Sequence, residues 1–162
     1  MHFPAERVMR VASAIGMGCA LLVTGAALAS ATHGADWREF LGPGGRGVAP
    51  GPIRSSWSDH EGIAWRYDLP GRGNSSPIVV GDLVVVTAAS GPRQDMLHVI
   101  ALDVQSGAVR WHRTFWATGQ TVCHGQTSVA AATPASDGTR IVAFFSSSDV
   151  FALDLDGRLL WQ

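Results

Sequence analysis

The chain has 162 residues, with 12 basic against 13 acidic side chains and a formal net charge of −1. All of the basic residues are Arg, and they form no cluster, which excludes recognition of nucleic acid through a basic patch. Two cysteines, Cys19 and Cys123, with no C-x-x-C or C-x-x-C-H spacing, exclude a disulfide framework, a paired-cysteine zinc site and covalent haem attachment.

Residues 1–29 read as a secretory signal peptide. Arg7 and Arg10 form a basic start, residues 11–28 are apolar and small, and Ala27-Leu28-Ala29 and Ala29-Ser30-Ala31 both fit small-x-small cleavage. The chain is therefore expected in the periplasm or outside the cell, touching a membrane only through this segment. An uncleaved anchor is the alternative, since the apolar stretch reaches 18 residues. Gly16-Met17-Gly18 lacks the Leu that precedes a lipidated cysteine, so Cys19 is not read as a lipid anchor. Removal of the signal leaves one cysteine, Cys123, which has no internal partner. Residues 30–62 form a Gly- and Pro-rich lead, and 43–52, with three Pro and four Gly, read as an extended strap.

From residue 63 to 162 the chain repeats itself. Residues 101–111 read A-L-D-V-Q-S-G-A-V-R-W and residues 152–161 read A-L-D-L-D-G-R-L-L-W, so Ala101 and Ala152 lie 51 positions apart and Trp111 and Trp161 lie 50 apart. Upstream, Ser76-Pro77 and Thr133-Pro134 each precede a Gly by four residues, at Gly81 and Gly138, and an apolar run follows in each copy. Such a period marks stacked units of one architecture. Short apolar runs bounded by Gly, Pro, Asp and Ser predict strands. The first copy has them at 76–80, 83–88, 97–103 and 108–113, and the second at 133–136, 140–146, 150–154 and 158–162.

The fold class is therefore all-β, a partial propeller of four-stranded antiparallel blades, about two of them plus the start of another. Gly81-Asp82 and Asp137-Gly138 supply the positive φ of tight hairpins. Asp103 with Gly107, and Asp154 with Gly157, close the last hairpin of each copy. The aspartates there bond their own turn backbone, as does Asp156, rather than serving as paired acid–base groups. Trp65, Trp111 and Trp161 are plates that fill the gap between blades. A blade cannot bury both faces alone, and closed propellers have about 4–8 blades, so the chain is expected to be part of a longer protein, or to assemble with copies of itself.

Three residues stand out as ligand candidates. Arg72, in the Gly-rich segment 71–76, faces the question of anion binding, but that segment lacks phosphate-loop spacing and opens no helix. Cys123 and His124 adjoin in the loop 116–132 that bridges the copies, with no further ligand at metal spacing. His98, His112 and His124 are spread over the two copies. No catalytic residue and no metal site is predicted.

The A-L-D-x-x-S-G-x-x-x-W pattern ending in Trp111 resembles the repeat of pyrroloquinoline-quinone-type β-propellers. The lead D-W-R-E-F-L-G-P-G-G-R-G-V at 36–48, I-A-W-R-Y-D-L-P-G-R-G-N-S-S-P-I-V-V-G-D at 63–82 and T-P-A-S-D-G-T-R-I-V-A-F-F at 133–145 are similar to a large set of exported bacterial proteins, planctomycete-like, with such repeats. That resemblance implies a non-catalytic scaffold binding other proteins or the remaining blades, with no cofactor. The alternative it implies is the N-terminal fragment of a quinone- and calcium-dependent alcohol or sugar dehydrogenase. That class often carries a vicinal Cys-Cys disulfide, which this sequence lacks.

Overall fold

A computed structural model describes residues 36–49, 51, 54–58 and 60–162. The signal segment and Cys19 lie outside the described residues.

Eight strands form two four-stranded antiparallel sheets of simple meander order. The first holds β1 (Ile78–Val80), β2 (Leu83–Ser90), β3 (Met96–Asp103) and β4 (Val109–Trp116). The second holds β5 (Ala135–Ser136), β6 (Arg140–Phe144), β7 (Val150–Asp154) and β8 (Leu159–Trp161). These are the two predicted blades. The start of a third is not a sheet. Residues 63–69 run without regular strand structure, because no described segment pairs with their backbone along its length, and residues 65–69 border an open hollow with Val84, Val86 and Leu102 of β2 and β3.

Strand pairing makes the repeat a matter of register. Val85 pairs with Ala101 and Ile78 in the first blade, as Val142 pairs with Ala152 and Ala135 in the second. Each blade carries one β-bulge at the same place, between Ala101 and Leu102 and between Ala152 and Leu153. The bulge sets Trp111 opposite Ala101 and Trp161 opposite Ala152.

Because side chains alternate between faces along a strand, this register decides what each blade buries. Ile78, Val85, Val99, Ala101 and Trp111 share one face of the first sheet. They join Ile141, Ala143, Phe145, Phe151 and Leu153 of the second in a single core, with Val129 and Ala130 of the bridging loop closing it. Phe115 stacks on Phe151 at 4.0 Å between ring centres, and Phe145 meets Phe151 edge-on at 5.9 Å. Of the counterparts on the far face of the second blade, Ala152 is buried, but Ala135, Val142, Val150 and Trp161 are not closed in this way. Trp111 is 9% exposed and Trp161 is 51% exposed.

The lead contributes a strap, though not where the composition placed it. Trp37 pairs with Val79 on the open edge of β1 through two hydrogen bonds of 2.9 Å, and the Arg38 carbonyl accepts from Ser136 N at 2.8 Å. Asp36 Oδ1 accepts from Gly81 N at 2.9 Å, so residues 36–38 touch both blades. Within the predicted strap at 43–52, Pro43–Gly45 instead forms a short 3-10 turn with Gly44 and Gly45 at positive φ. Residues 50, 52 and 53 lie outside the described residues. No helix among the described residues is long and apolar enough to cross a membrane.

Candidate functional site

The loops at the Ser90–Met96 end of the blades carry the chemistry-bearing side chains, and the bridging loop 116–132 holds them together. Gln94 is central. It sits at φ 56 in the β2–β3 loop and reaches out of its blade. Its Oε1 accepts from Val129 N at 3.1 Å, and its Nε2 donates to Cys123 Sγ at 3.3 Å. Arg72 exchanges two backbone hydrogen bonds of 2.8 Å with Ala89, and its guanidinium donates to the Gly125 carbonyl at 2.8 Å. The structure thus brings Arg72 to the loop that holds Cys123 and His124. Cys123 packs against the interblade core. His124 is exposed, and its Nδ1 accepts from Gln126 N at 3.2 Å.

Asp149 is the buried carboxylate of this end, 7% exposed. It accepts from Ser147 Oγ at 2.6 Å, Thr118 Oγ1 at 2.5 Å and Thr118 N at 3.1 Å. Burial pushes its carboxyl up, but the donors from Ser147, Thr118 and Gly119 outweigh burial and hold it below the ordinary value. Asp149 therefore pins the start of the bridging loop to the β6–β7 turn. Beside it lies an open cleft of about 500 Å³ lined by Phe115, Trp116, Ser148 and Val150 among others. A second cleft, of about 450 Å³, lies between Arg93, Asp95, Trp116 and Val122. Trp116, which lines both, is 67% exposed, and Val122 is 89% exposed. Asp149, Gln94 and Arg72 are engaged in holding loops, and Trp116 and Val122 stand out to solvent between them.

The repeat aspartates close turns. Asp103 Oδ1 accepts from Ser106 N, Ser106 Oγ and Gln105 N, which, led by the Ser106 backbone, lower its carboxyl, while Arg110 bridges it to Asp82. Asp154 accepts from Arg158 N at 2.8 Å and from Asp156 N at 3.1 Å. In the β5–β6 hairpin, the Thr139 hydroxyl and the Thr139 and Arg140 amides bring Asp137 down to about 2.

Two tryptophans, Trp65 and Trp111, obey one rule. Trp65 Nε1 donates to the Val104 carbonyl at 3.0 Å, and Trp111 Nε1 donates to the Leu155 carbonyl at 2.7 Å. In both cases the acceptor follows the turn aspartate. The ring then lies on the turn glycine: a Cβ on Gly107 or Gly157 would stand 2.5 Å from the Trp65 or Trp111 ring. Trp65 and Trp111 thus dock on the last turns of the first and second sheets.

Residues 56–162 match the family described as outer membrane protein assembly factor BamB. The chain belongs to this family of pyrroloquinoline-quinone-type β-propeller repeats. Among curated relatives, the polyvinylalcohol dehydrogenase of a Pseudomonas species is 30% identical over 103 residues, which are 62% of this chain and 14% of that one. The polyvinylalcohol dehydrogenase of Sphingopyxis sp. (strain 113P3) is 33% identical over 104 residues, with the same coverage. The chain thus spans about a seventh of these curated relatives. The crystal structure of BamB from Moraxella catarrhalis is similar with 25% identity and a TM-score of 0.47, covering 63% of this chain and 27% of that one.

Two features of the site escaped the sequence reading. His98 and His112 are not spread over the repeats but touch within the first blade, with Nδ1 of His98 3.0 Å from Nε2 of His112. The bond of Gln94 to Cys123 depends on a positive φ at a non-glycine residue, for which no local motif exists. The histidine contact had a signal: once the Asp103–Gly107 turn fixes the β3–β4 register, His98 and His112 fall on one face as diagonal neighbours.

Proposed function

We propose that this propeller segment is a non-catalytic exported scaffold whose loop end binds a protein partner. One observation carries the reading. The Ser90–Met96 end is a platform pinned by Asp149, Gln94 and Arg72, and it presents Trp116 and Val122 to solvent between two clefts. Rigid loops that expose aromatic surface suit protein recognition, where Trp anchors carry much of the binding energy. The family description, an outer-membrane assembly factor, supports the same reading. So does the signal-like start at residues 1–29, for export. Cofactors have no role in it.

The test is site-specific photocrosslinking in cells. A crosslinker at Trp116 or Val122 is expected to trap one discrete adduct, and a crosslinker at Trp57, in the lead, is expected to trap none. Equal labelling at both sites would overturn the reading.

The second reading is a segment of a quinone- and calcium-dependent dehydrogenase, favoured by the two polyvinylalcohol dehydrogenase relatives. Reconstitution of the full-length gene product with quinone and calcium, followed by dye reduction on a polymeric alcohol, decides between them. Turnover would replace the scaffold by the enzyme.

A further inference from the structure

We infer that the first blade carries a zinc-class divalent metal site formed by the two imidazoles of His98 and His112, beside Thr114, with the remaining positions of the ion open to water. His98 Nδ1 lies 3.0 Å from His112 Nε2 and 3.2 Å from Thr114 Oγ1. All three side chains project from the same face of β3 and β4, since His98 pairs with Thr114 and His112 pairs with Ile100. Zinc–nitrogen bonds of about 2.0–2.1 Å at a tetrahedral angle place two imidazole nitrogens about 3.3 Å apart. The two nitrogens stand a few tenths of an ångström closer than that, and the rings must turn as well as part for both lone pairs to converge on the ion.

The surroundings select the right form of His98. Its Nε2 lies 2.8 Å from Ser90 Oγ. If Nε2 donates to that hydroxyl, the Nδ1 lone pair points at His112 and Thr114. Fixing one ring nitrogen by a hydrogen bond so that the other can ligate is the usual support of a metal-bound histidine. His98 is 3% exposed, so the blade holds its ring in place. His112 is exposed, which gives the ion a path from solvent and leaves its Nδ1 free to carry the proton there. The two imidazole donors suit zinc, copper or nickel rather than calcium or magnesium. This site is independent of the platform at Trp116, and neither reading rests on the other.

Titration of the full chain with zinc chloride by calorimetry is the test, joined to nitrogen-15 NMR of the imidazoles. One ion per chain is expected, with the His98 Nδ1 and His112 Nε2 resonances shifting together. His112→Ala, a surface change, is expected to weaken binding at least about tenfold, and Ser90→Ala, through the orientation of His98, by a comparable factor. His60→Ala, His124→Ala and Cys123→Ser are expected to leave it unchanged. The site is refuted if no heat develops up to about 1 mM zinc, a weak limit for a protein ligand. It is equally refuted if binding survives His112→Ala, or if the shifted resonances belong to other histidines. The NMR arm needs no variant and stands if His112→Ala fails to fold.

Discussion

At the residue scale, Gly157 shows how little freedom the Trp relay leaves. Its φ is 77°, and a Cβ there would stand 2.5 Å from the Trp111 ring. Gly157→Ala therefore combines left-handed strain with overpacking and is expected to cost about 2–4 kcal/mol. Gly81→Ala, at φ 58° with nothing within 4 Å of the added carbon, carries only the backbone part, about 1 kcal/mol. Paired urea denaturation of the two variants measures the difference. Asp149 is the residue whose loss the platform feels most. Asp149→Ala strands the donors of Ser147 and Thr118 and is expected to cost about 1–3 kcal/mol by the same measurement.

The depressed carboxylates also set an acid limit. Asp137 and Asp149 ionise more readily folded than unfolded, so their contribution is complete above the unfolded value of about 3.9 and is lost as pH falls through the folded values. His98, also depressed, binds its proton more readily when unfolded. It removes stability earlier, as pH drops below about 6.5. A urea midpoint that declines gently below about 6.5 and steeply between about 4 and 2 is expected. A midpoint that stays flat down to pH 4 would count against the buried neutral His98.

At the scale of the element, the two repeat tryptophans make a controlled comparison. Both stand at one register position beside the same bulge, yet one is covered and the other open. Trp111→Ala removes a packed ring and its bond to Leu155, at an expected cost of about 3–5 kcal/mol. Trp161→Ala is expected to cost less than about 1 kcal/mol in this chain, because the packing term is largely absent. Thermal or urea unfolding monitored by circular dichroism reads both.

The strands were legible for a plain reason. Apolar alternation and the Gly-Asp, Asp-Gly and Asp-to-Gly turns are local signals, and β2, β3, β6 and β7 arise from them. The duplicated A-L-D motif revealed the stacking. What stayed hidden is long-range. Nothing near Trp37 says that it pairs with Val79, and nothing near Gln94 says that it crosses to Val129. Pro and Gly at 43–52 suggested extension, but consecutive glycines at positive φ curl the backbone instead. His98 and His112 met through a register that follows only once the hairpin is drawn.

At the scale of the molecule, one interblade gap is filled and its copy is open. Val142, Phe144, Val150, Ala152 and Trp161 occupy the positions that Val85, Thr87, Val99, Ala101 and Trp111 fill at the closed gap. The occupant that fits is another sheet of the same kind, bringing a turn glycine for the Trp161 ring. The isolated chain is accordingly expected to self-associate as concentration rises. Phe144→Arg, at a side chain 46% exposed on that face, is expected to shift sedimentation toward monomer while leaving unfolding unchanged. Association unaffected by this change would place the contact elsewhere.

The relay from each indole to the following turn also gives the molecule a direction. A ribosome delivers the amino end first, so every module leaves behind a finished socket-seeking plate before the socket that receives it has been made. The order of synthesis lets the second hairpin, as it arrives, receive the Trp111 ring already made in the first sheet. In this chain the rings of Trp65 and Trp111 are received in that order, and the ring of Trp161 stands open.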